Sequence, residues 1–253
     1  MPLEIVTVPC LKDNYAYLLY DAGSGRTALV DAPEAAPIAA ALDERGWRLT
    51  DILLTHHHHD HVEAVPALRD GARVVGAAAD AHRLPPLDLA VAPGERITVC
   101  GENVAVMDAP GHTVGHVAYH FATTGAVMTG DSLMALGCGR LFEGTAAQMW
   151  ETLLRLAALP RETVVCSGHE YAEANGRFAA SLDLANPALD ARRARIAELR
   201  AVGRPTVPVT LATEIETNPF LRAGDPAMKA AVGMAGADDV AVFAEIRARK
   251  DRF

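Results

Sequence analysis

The heptapeptide Thr55-His56-His57-His58-His59-Asp60-His61 follows the apolar triplet Ile52-Leu53-Leu54 without a gap. Such a triplet, with polar chain on either side, reads as a short buried strand, so the histidines begin at the end of that strand. In extended chain, side chains two residues apart point the same way. His56 and His58 therefore converge on one cation if the strand conformation persists, and a turn at Asp60-His61 directs the next pair toward a second. Neutral imidazoles with a carboxylate suit zinc, iron(II) or manganese(II), whereas magnesium and calcium favour all-oxygen ligation. The run contains no sulfur ligand, which argues against a purely structural zinc. Its internal position after a buried strand argues against a purification tag, and a solvated polar loop is the main competing reading.

Three later strand ends carry the same kinds of side chain. Val104 to Met107 runs into Asp108-Ala109-Pro110-Gly111-His112, Ala126 to Met128 into Gly130-Asp131-Ser132, and Thr163 to Cys166 into Ser167-Gly168-His169-Glu170. A lone histidine beside Pro-Gly more often makes a loop hydrogen bond, and a lone aspartate caps a turn. Their joint occurrence at successive strand ends makes His112, Asp131 and His169 candidate ligands. Asp131 can bridge two ions that share an activated water. His57, His59, His82, His116 and His120 fall outside this alternation and read as orienting, surface or packing residues.

The rest of the pattern places these ends in a layered fold. Leu3 to Val8, Ala16 to Tyr20 and Thr27 to Val30 read as an antiparallel meander broken at Asp13-Asn14 and Gly23-Ser24-Gly25. Helices are expected over Ala35 to Arg45, Glu63 to Arg69 and Ala146 to Leu159, with strands over Arg73 to Val75 and Val117 to Phe121. Pro85, Pro86, Pro93 and Gly94 mark a connecting loop. Two strand-rich stretches interleaved with helices imply two sheets packed face to face beneath outer helices. After about residue 172 the strand signal ends. Ala172 to Leu184, Ala188 to Ala201, Pro226 to Val232 and Val240 to Arg249 favour helix, with a proline-punctuated loop from Pro205 to Pro219. The expected division is a catalytic domain over 1–172 and a helical domain over 173–253.

With 253 residues, half of them apolar, the chain can bury a substantial core. No apolar run is long enough to cross a bilayer, and Met1-Pro2-Leu3-Glu4 lacks a signal-peptide pattern, so a cytosolic protein without a membrane partner is expected. Cys10, Cys100, Cys138 and Cys166 are scattered and read as buried thiols. A net charge of -9 argues against nucleic acid as a partner and requires any anionic substrate to meet a local basic patch.

The signature His56-His57-His58-His59-Asp60-His61 resembles the His-x-His-x-Asp-His of the metallo-β-lactamase superfamily, which implies an α+β fold, a four-layer αβ/βα sandwich. The chain more specifically resembles the hydroxyacylglutathione hydrolases, or glyoxalase II. That resemblance rests on Asp13 to Leu18, Thr55 to His61, Pro110 to His116, Gly130 to Leu133, Gly137 to Thr145, Gly168 to Tyr171, Thr217 to Arg222 and Arg247 to Asp251. It implies that His56, His58 and His112 hold one divalent ion, that Asp60, His61 and His169 hold the other, and that Asp131 bridges them. Zinc is the first expectation, with iron or manganese as alternatives. Asp60 and Asp131 are then the catalytic carboxylates.

The resemblance also implies a glutathione thioester as substrate, S-D-lactoylglutathione in particular, hydrolysed to glutathione and D-lactate in the last step of methylglyoxal detoxification. Its glutathione-binding positions fall on Arg140, Phe142, Tyr171, Arg247 and Lys250. Two depart from the family pattern. Arg140 stands for a lysine, which keeps the charge and changes the hydrogen-bond geometry, and Phe142 lacks the hydroxyl of a tyrosine. A monomer is expected. A lactonase or lactamase of the same fold, a nuclease, and a flavodiiron-like or non-catalytic metal binder are the alternatives, separated by release of free thiol before and after chelation.

Overall fold

The computed structural model describes residues 1–182 and 185–253. The chain opens with β1 (Glu4–Cys10), β2 (Asn14–Asp21) and β3 (Arg26–Val30), an antiparallel meander in which Glu4 faces Tyr20 and Tyr17 faces Val30. Helix α1 (Ala35–Arg45) ends at Gly46, whose φ of 67° supplies the left-handed turn that closes a helix without steric penalty. β4 (Leu49–Leu53) then returns parallel to β3.

The metal-type run leads into α2 (His59–Val62) and α3 (Val65–Leu68). The expected helix over Glu63 to Arg69 is thus the single short turn α3, and a separate turn, α2, precedes it from His59. Pro66 lies in the first turn of α3, where its missing N–H costs nothing, and so starts a new turn where a longer helix would have to continue. β5 (Arg73–Ala77) and β6 (Leu89–Val91) extend the sheet in parallel, and the strand order is β1-β2-β3-β4-β5-β6. Ile38 and Leu42 of α1 and Leu68 of α3 pack on Leu18, Leu29, Ile52 and Val74. Burying a side chain such as Ile38 stabilises by about 1.5–3 kcal/mol.

β7 (Arg96–Val99), β8 (Glu102–Asp108), β9 (Val117–Phe121) and β10 (Ala126–Gly130) form consecutive antiparallel pairs of a second sheet. β6 and β7 flank Pro93-Gly94, where the sequence marked only a connecting loop. Both are short: β6 pairs with β5 across the proline-marked loop, and β7 pairs with β8 across the Cys100-Gly101 turn, too few residues for alternation to mark either. The Tyr119 hydroxyl donates to the Leu54 carbonyl at 2.9 Å, and the Val117 N–H donates to the Thr55 carbonyl at 2.9 Å. These bonds tie the second sheet to the strand end that carries the histidines.

The chain then makes a hairpin, β11 (Leu133–Met134) with β12 (Gly137–Cys138), followed by α4 (Ala146–Ala157) and β13 (Val164–Ser167). Thr145 and Gln148 cap α4 reciprocally, the Gln148 N–H donating to Thr145 Oγ1 at 3.2 Å and the Thr145 N–H to Gln148 Oε1 at 2.9 Å. The later part of β13 adjoins β10, where the Thr129 hydroxyl donates to the Cys166 carbonyl and the Gly168 N–H to the Gly130 carbonyl. Helices α5 (Ala172–Leu182) and α6 (Pro187–Ala201) follow. The expected helix from Ala172 extends onto Asp183 and Leu184, which lie outside the described residues. β14 (Val209–Thr210) pairs with the start of β13, and α7 (Leu211–Thr217), α8 (Pro226–Ala231) and α9 (Asp239–Arg252) complete the chain.

Helix α7 corrects the expectation of an unbroken loop from Pro205 to Pro219. The Thr210 hydroxyl accepts the Thr213 N–H, and Leu211, Glu214 and Thr217 are buried, so tertiary packing overrides the weak propensity of a threonine- and proline-rich stretch. Compactness divides the chain into one unit of 1–109, 115–130 and 166–169 and another of 110–114, 131–165 and 170–253. Among the described residues, no helix is long and apolar enough to cross a membrane.

Candidate metal centre

In the first unit the chain bends at Thr55, is extended at His58, with φ of -61° and ψ of 143°, and turns helical at His59. His56 and His58 accordingly share a side, with His56 Nε2 and His58 Nδ1 3.2 Å apart. Asp60 and His61 lie on the turn of α2 and face His169 at the end of β13. His61 Nε2 and His169 Nε2 are 3.3 Å apart, and Asp60 Oδ2 lies 3.5 Å from the second and 3.8 Å from the first.

The far sides of these rings are held by oxygen. Asp31 Oδ2 pairs with His61 Nδ1 at 2.8 Å and accepts the Thr55 hydroxyl at 2.8 Å, while Asp31 Oδ1 accepts the Thr55 N–H at 2.9 Å. Thr55 Oγ1 in turn lies 3.0 Å from His56 Nδ1. His169 Nδ1 pairs with Asp13 Oδ1 at 3.2 Å, and the Asn14 amide donates to Asp60 Oδ2 and to the Asp60 carbonyl, each at 3.0 Å. An imidazole whose Nδ1–H donates to oxygen presents a bare lone pair at Nε2. Two such lone pairs facing each other beside a carboxylate repel unless a cation sits among them, so Asp60, His61 and His169 fit a divalent ion. Asp31 also lies within ligand distance of His56 and His61, but its oxygens already serve Thr55 and His61.

In the second unit, His112 Nε2 lies 3.4 Å from Asp131 Oδ2, and His112 Nδ1 lies 2.8 Å from the Arg140 carbonyl oxygen, the same arrangement of a tied Nδ1 and a presented Nε2. Asp131 follows Gly130, the last residue of β10. A Cβ on Gly139 would collide with the Asp131 carbonyl oxygen and stand 2.9 Å from His112 Nδ1. Only glycine lets the chain pass so close to both groups. The Phe142 ring lies edge-on to His112 at 5.3 Å and is 61% exposed.

The remaining candidate residues also lie in the second unit. Arg140 and Tyr171 are exposed, and Arg140 Nε reaches Asp251 Oδ1 at 3.4 Å. Arg247 is buried. Its guanidinium donates to the Cys138 carbonyl at 2.9 Å and to Asp251 at 2.9 Å, and lies 5.0 Å from the Phe220 ring centroid. Lys250 is half-buried over the rings of Phe178 and Phe253, and burial lowers the pKa of its ammonium, with Arg247 and Arg177 adding to the effect. Of the histidines set apart in the sequence, His57 pairs with Asp80 at 3.1 Å, and His59 reaches Glu63 on the surface.

Sequence reading missed Asp31 entirely, and it gave Asp13 and Asn14 no role of their own. Asp31 stands alone just past the end of β3, and its left-handed φ of 56° is a conformation aspartate tolerates. Its importance arises from a pairing thirty positions along the chain, for which no local signal exists.

The fold and the paired His/Asp clusters define a metallo-β-lactamase superfamily protein, whose family model matches residues 12–169. A second model, described as hydroxyacylglutathione hydrolase C-terminus, matches residues 170–253. The chain is 65% identical over the full length of both proteins to a hydroxyacylglutathione hydrolase of Cereibacter sphaeroides. The chain belongs to the hydroxyacylglutathione hydrolase family. Among solved structures it is similar to ETHE1 from Myxococcus xanthus, with 26% identity, a TM-score of 0.66 and coverage of 99% of this chain and 98% of that one. It is also similar to TTHA1623 in a di-iron-bound form, with 27% identity, a TM-score of 0.60 and coverage of 86% and 100%.

Proposed function

We propose that the protein hydrolyses S-(2-hydroxyacyl)glutathione thioesters, S-D-lactoylglutathione foremost, to glutathione and a 2-hydroxy acid, at a centre of two divalent ions with zinc as the first candidate. The observation that carries this reading is the convergence of His61 Nε2, His169 Nε2 and Asp60 Oδ2 with the backs of both rings tied to carboxylates. His56, His58 and His112 are the proposed ligands of one ion, Asp60, His61 and His169 of the other, with Asp131 shared. When bound, such ions lower the pKa of water toward neutrality and polarise a carbonyl.

The chain's own groups do the remaining work. Asp31, Asp13 and the Arg140 carbonyl hold imidazole protons at Nδ1, and Asn14 fixes the Asp60 carboxylate. Asp60 and Asp131 are the proposed carboxylates to take the proton that a water gives up. Hydroxide adds to the thioester carbonyl carbon, the C–S bond breaks, and the thiol sulfur leaves with the bonding pair. A thiol of pKa about 8.5 leaves readily as thiolate, so no strong general acid is needed.

Glutathione carboxylates require positive charge. Arg140, Arg247 and Lys250 supply it in this reading, with Phe142 and Tyr171 as apolar or aromatic neighbours. Arg247 is buried against the Cys138 carbonyl and Asp251, so its part is to hold the loop and lend charge, while Lys250 and Arg140 reach the substrate. The catalytic domain over 1–172, the helical substrate domain over 173–253, the monomeric state and the cytosolic setting belong to the same proposal. Four free buried thiols are consistent with a reducing compartment. The test is thiol release from S-D-lactoylglutathione measured beside a lactone, a β-lactam and single-stranded DNA. Hydrolysis of the thioester above the others is expected, and hydrolysis of one of the others in its place would overturn the reading.

A further inference from the structure

Helix α7 places a carboxylate, Glu214, at 0% exposure beneath the β11–β12 hairpin. Its Oε2 accepts the Leu136 N–H at 3.1 Å and the Asn218 amide at 3.0 Å, and its Oε1 accepts the Arg192 guanidinium. Arg192 donates also to Thr217 Oγ1 at 2.6 Å. Asn218 donates further to the carbonyls of Met134 at 3.2 Å and Gly137 at 3.0 Å, and Asn175 donates to that of Ala135 at 2.9 Å. Every residue from Met134 to Gly137 is thus gripped by a side chain of α5 or of the α7 segment.

The grip is needed because Leu136 has a φ of 57°, a left-handed conformation that strains a residue bearing a Cβ. The bond from its N–H to a buried carboxylate offsets that strain. The hairpin leads directly into Gly139, packed against His112 and the Asp131 carbonyl, and into Arg140, whose carbonyl holds His112 Nδ1. A displaced hairpin would carry both with it.

We propose that Glu214, with Arg192 and Asn218, is a positioning residue: it sets the orientation of the His112 imidazole through the Leu136 turn. The proposal rests on the reading of His112 as a metal ligand. Changing a group that orients a ligand costs about 10- to 100-fold in metal affinity.

The experiment compares wild type, Glu214→Gln and Asn218→Ala, with the exposed Glu216→Gln on the same helix as control. Zinc affinity is read by competition with a chromogenic chelator, KM and kcat by thiol release, and folding by circular dichroism. Glu214→Gln should stay folded with KM within about twofold of wild type, and should hold one of its two zinc ions about 10- to 100-fold more weakly. Its kcat should fall in zinc-limited buffer and recover in excess zinc, which a merely destabilised protein would not do. Asn218→Ala leaves the Glu214–Arg192 pair intact and should weaken the same ion, which decides the matter if Glu214→Gln fails to fold. Wild-type zinc affinity in the folded variants, or a loss that excess zinc does not restore, overturns the proposal. A wild-type protein that binds no second zinc overturns instead the reading on which it rests.

Discussion

Asp31 Oδ2 stands 2.8 Å from His61 Nδ1, and both side chains are buried. Asp31 also holds the backbone of Thr55, the residue before the first histidine, so one carboxylate fixes both a ring and the start of the run. Asp31→Asn keeps the shape and loses the charge that holds the proton on Nδ1. Metal affinity should fall about 10- to 100-fold, as chelator competition will read, with secondary structure intact.

Gly139 gives a geometric prediction. In Gly139→Ala the new methyl meets the Asp131 carbonyl and His112 Nδ1, so the hairpin exit or these two residues must move. Displacement of catalytic groups by about an ångström costs on the order of 100-fold in rate. Steady-state kinetics on folded Gly139→Ala protein should show a loss of that size in kcat, together with a reduced metal content.

In the proposed role of Lys250, substrate binding depends on pH. Burial lowers its pKa below that of an ordinary lysine, so it loses its charge at a lower pH than a solvent-exposed lysine would. Only the charged form attracts a carboxylate. KM should therefore rise with pH on the alkaline side in wild type, and Lys250→Ala should show the raised KM at neutral pH with that dependence flattened. Arg247→Ala differs, because it strips a buried donor from the Cys138 carbonyl. Removal of a charged hydrogen bond of this kind costs about 1.5–3 kcal/mol, which a denaturant titration will show.

All four thiols are buried, and burial pushes Cys10 and Cys100 up to about 12 and Cys138 to about 11, with Cys166 raised as well. A thiol reagent acts on the thiolate, so the native protein at pH 8 should leave all four unmodified. Denaturation should expose four reactive groups per chain.

The sequence disclosed those features that a local pattern encodes. His56 and His58 were legible because period-two spacing continues from a buried strand, and Asp60 and His61 because they close the same run. The meander β1–β3 and helices α1 and α4 were legible from alternation, periodicity and a proline stop. What orients the site was hidden. Asp31 and Glu214 act through partners far away in the chain, and single carboxylates carry no mark of their future neighbours. Helix α7 escaped notice because its threonines and flanking prolines read as loop, while its stability comes from burying Leu211 and the Glu214 pair. The helix expected over Glu63 to Arg69 is shorter because Pro66 starts α3 as a turn of its own, and helix α2 was not expected at the Asp60-His61 turn because histidines have weak helix preference.

The proposed centre holds two divalent ions among seven side chains, and thioester hydrolysis should need both. The most direct test is zinc titration of chelator-stripped protein, with thiol release from S-D-lactoylglutathione followed in the same samples. Activity should be absent in the stripped protein and should rise to its plateau only as the second equivalent of zinc per chain is bound. Full activity in the stripped protein, or a plateau reached with a single ion engaged, would rule out the two-ion centre.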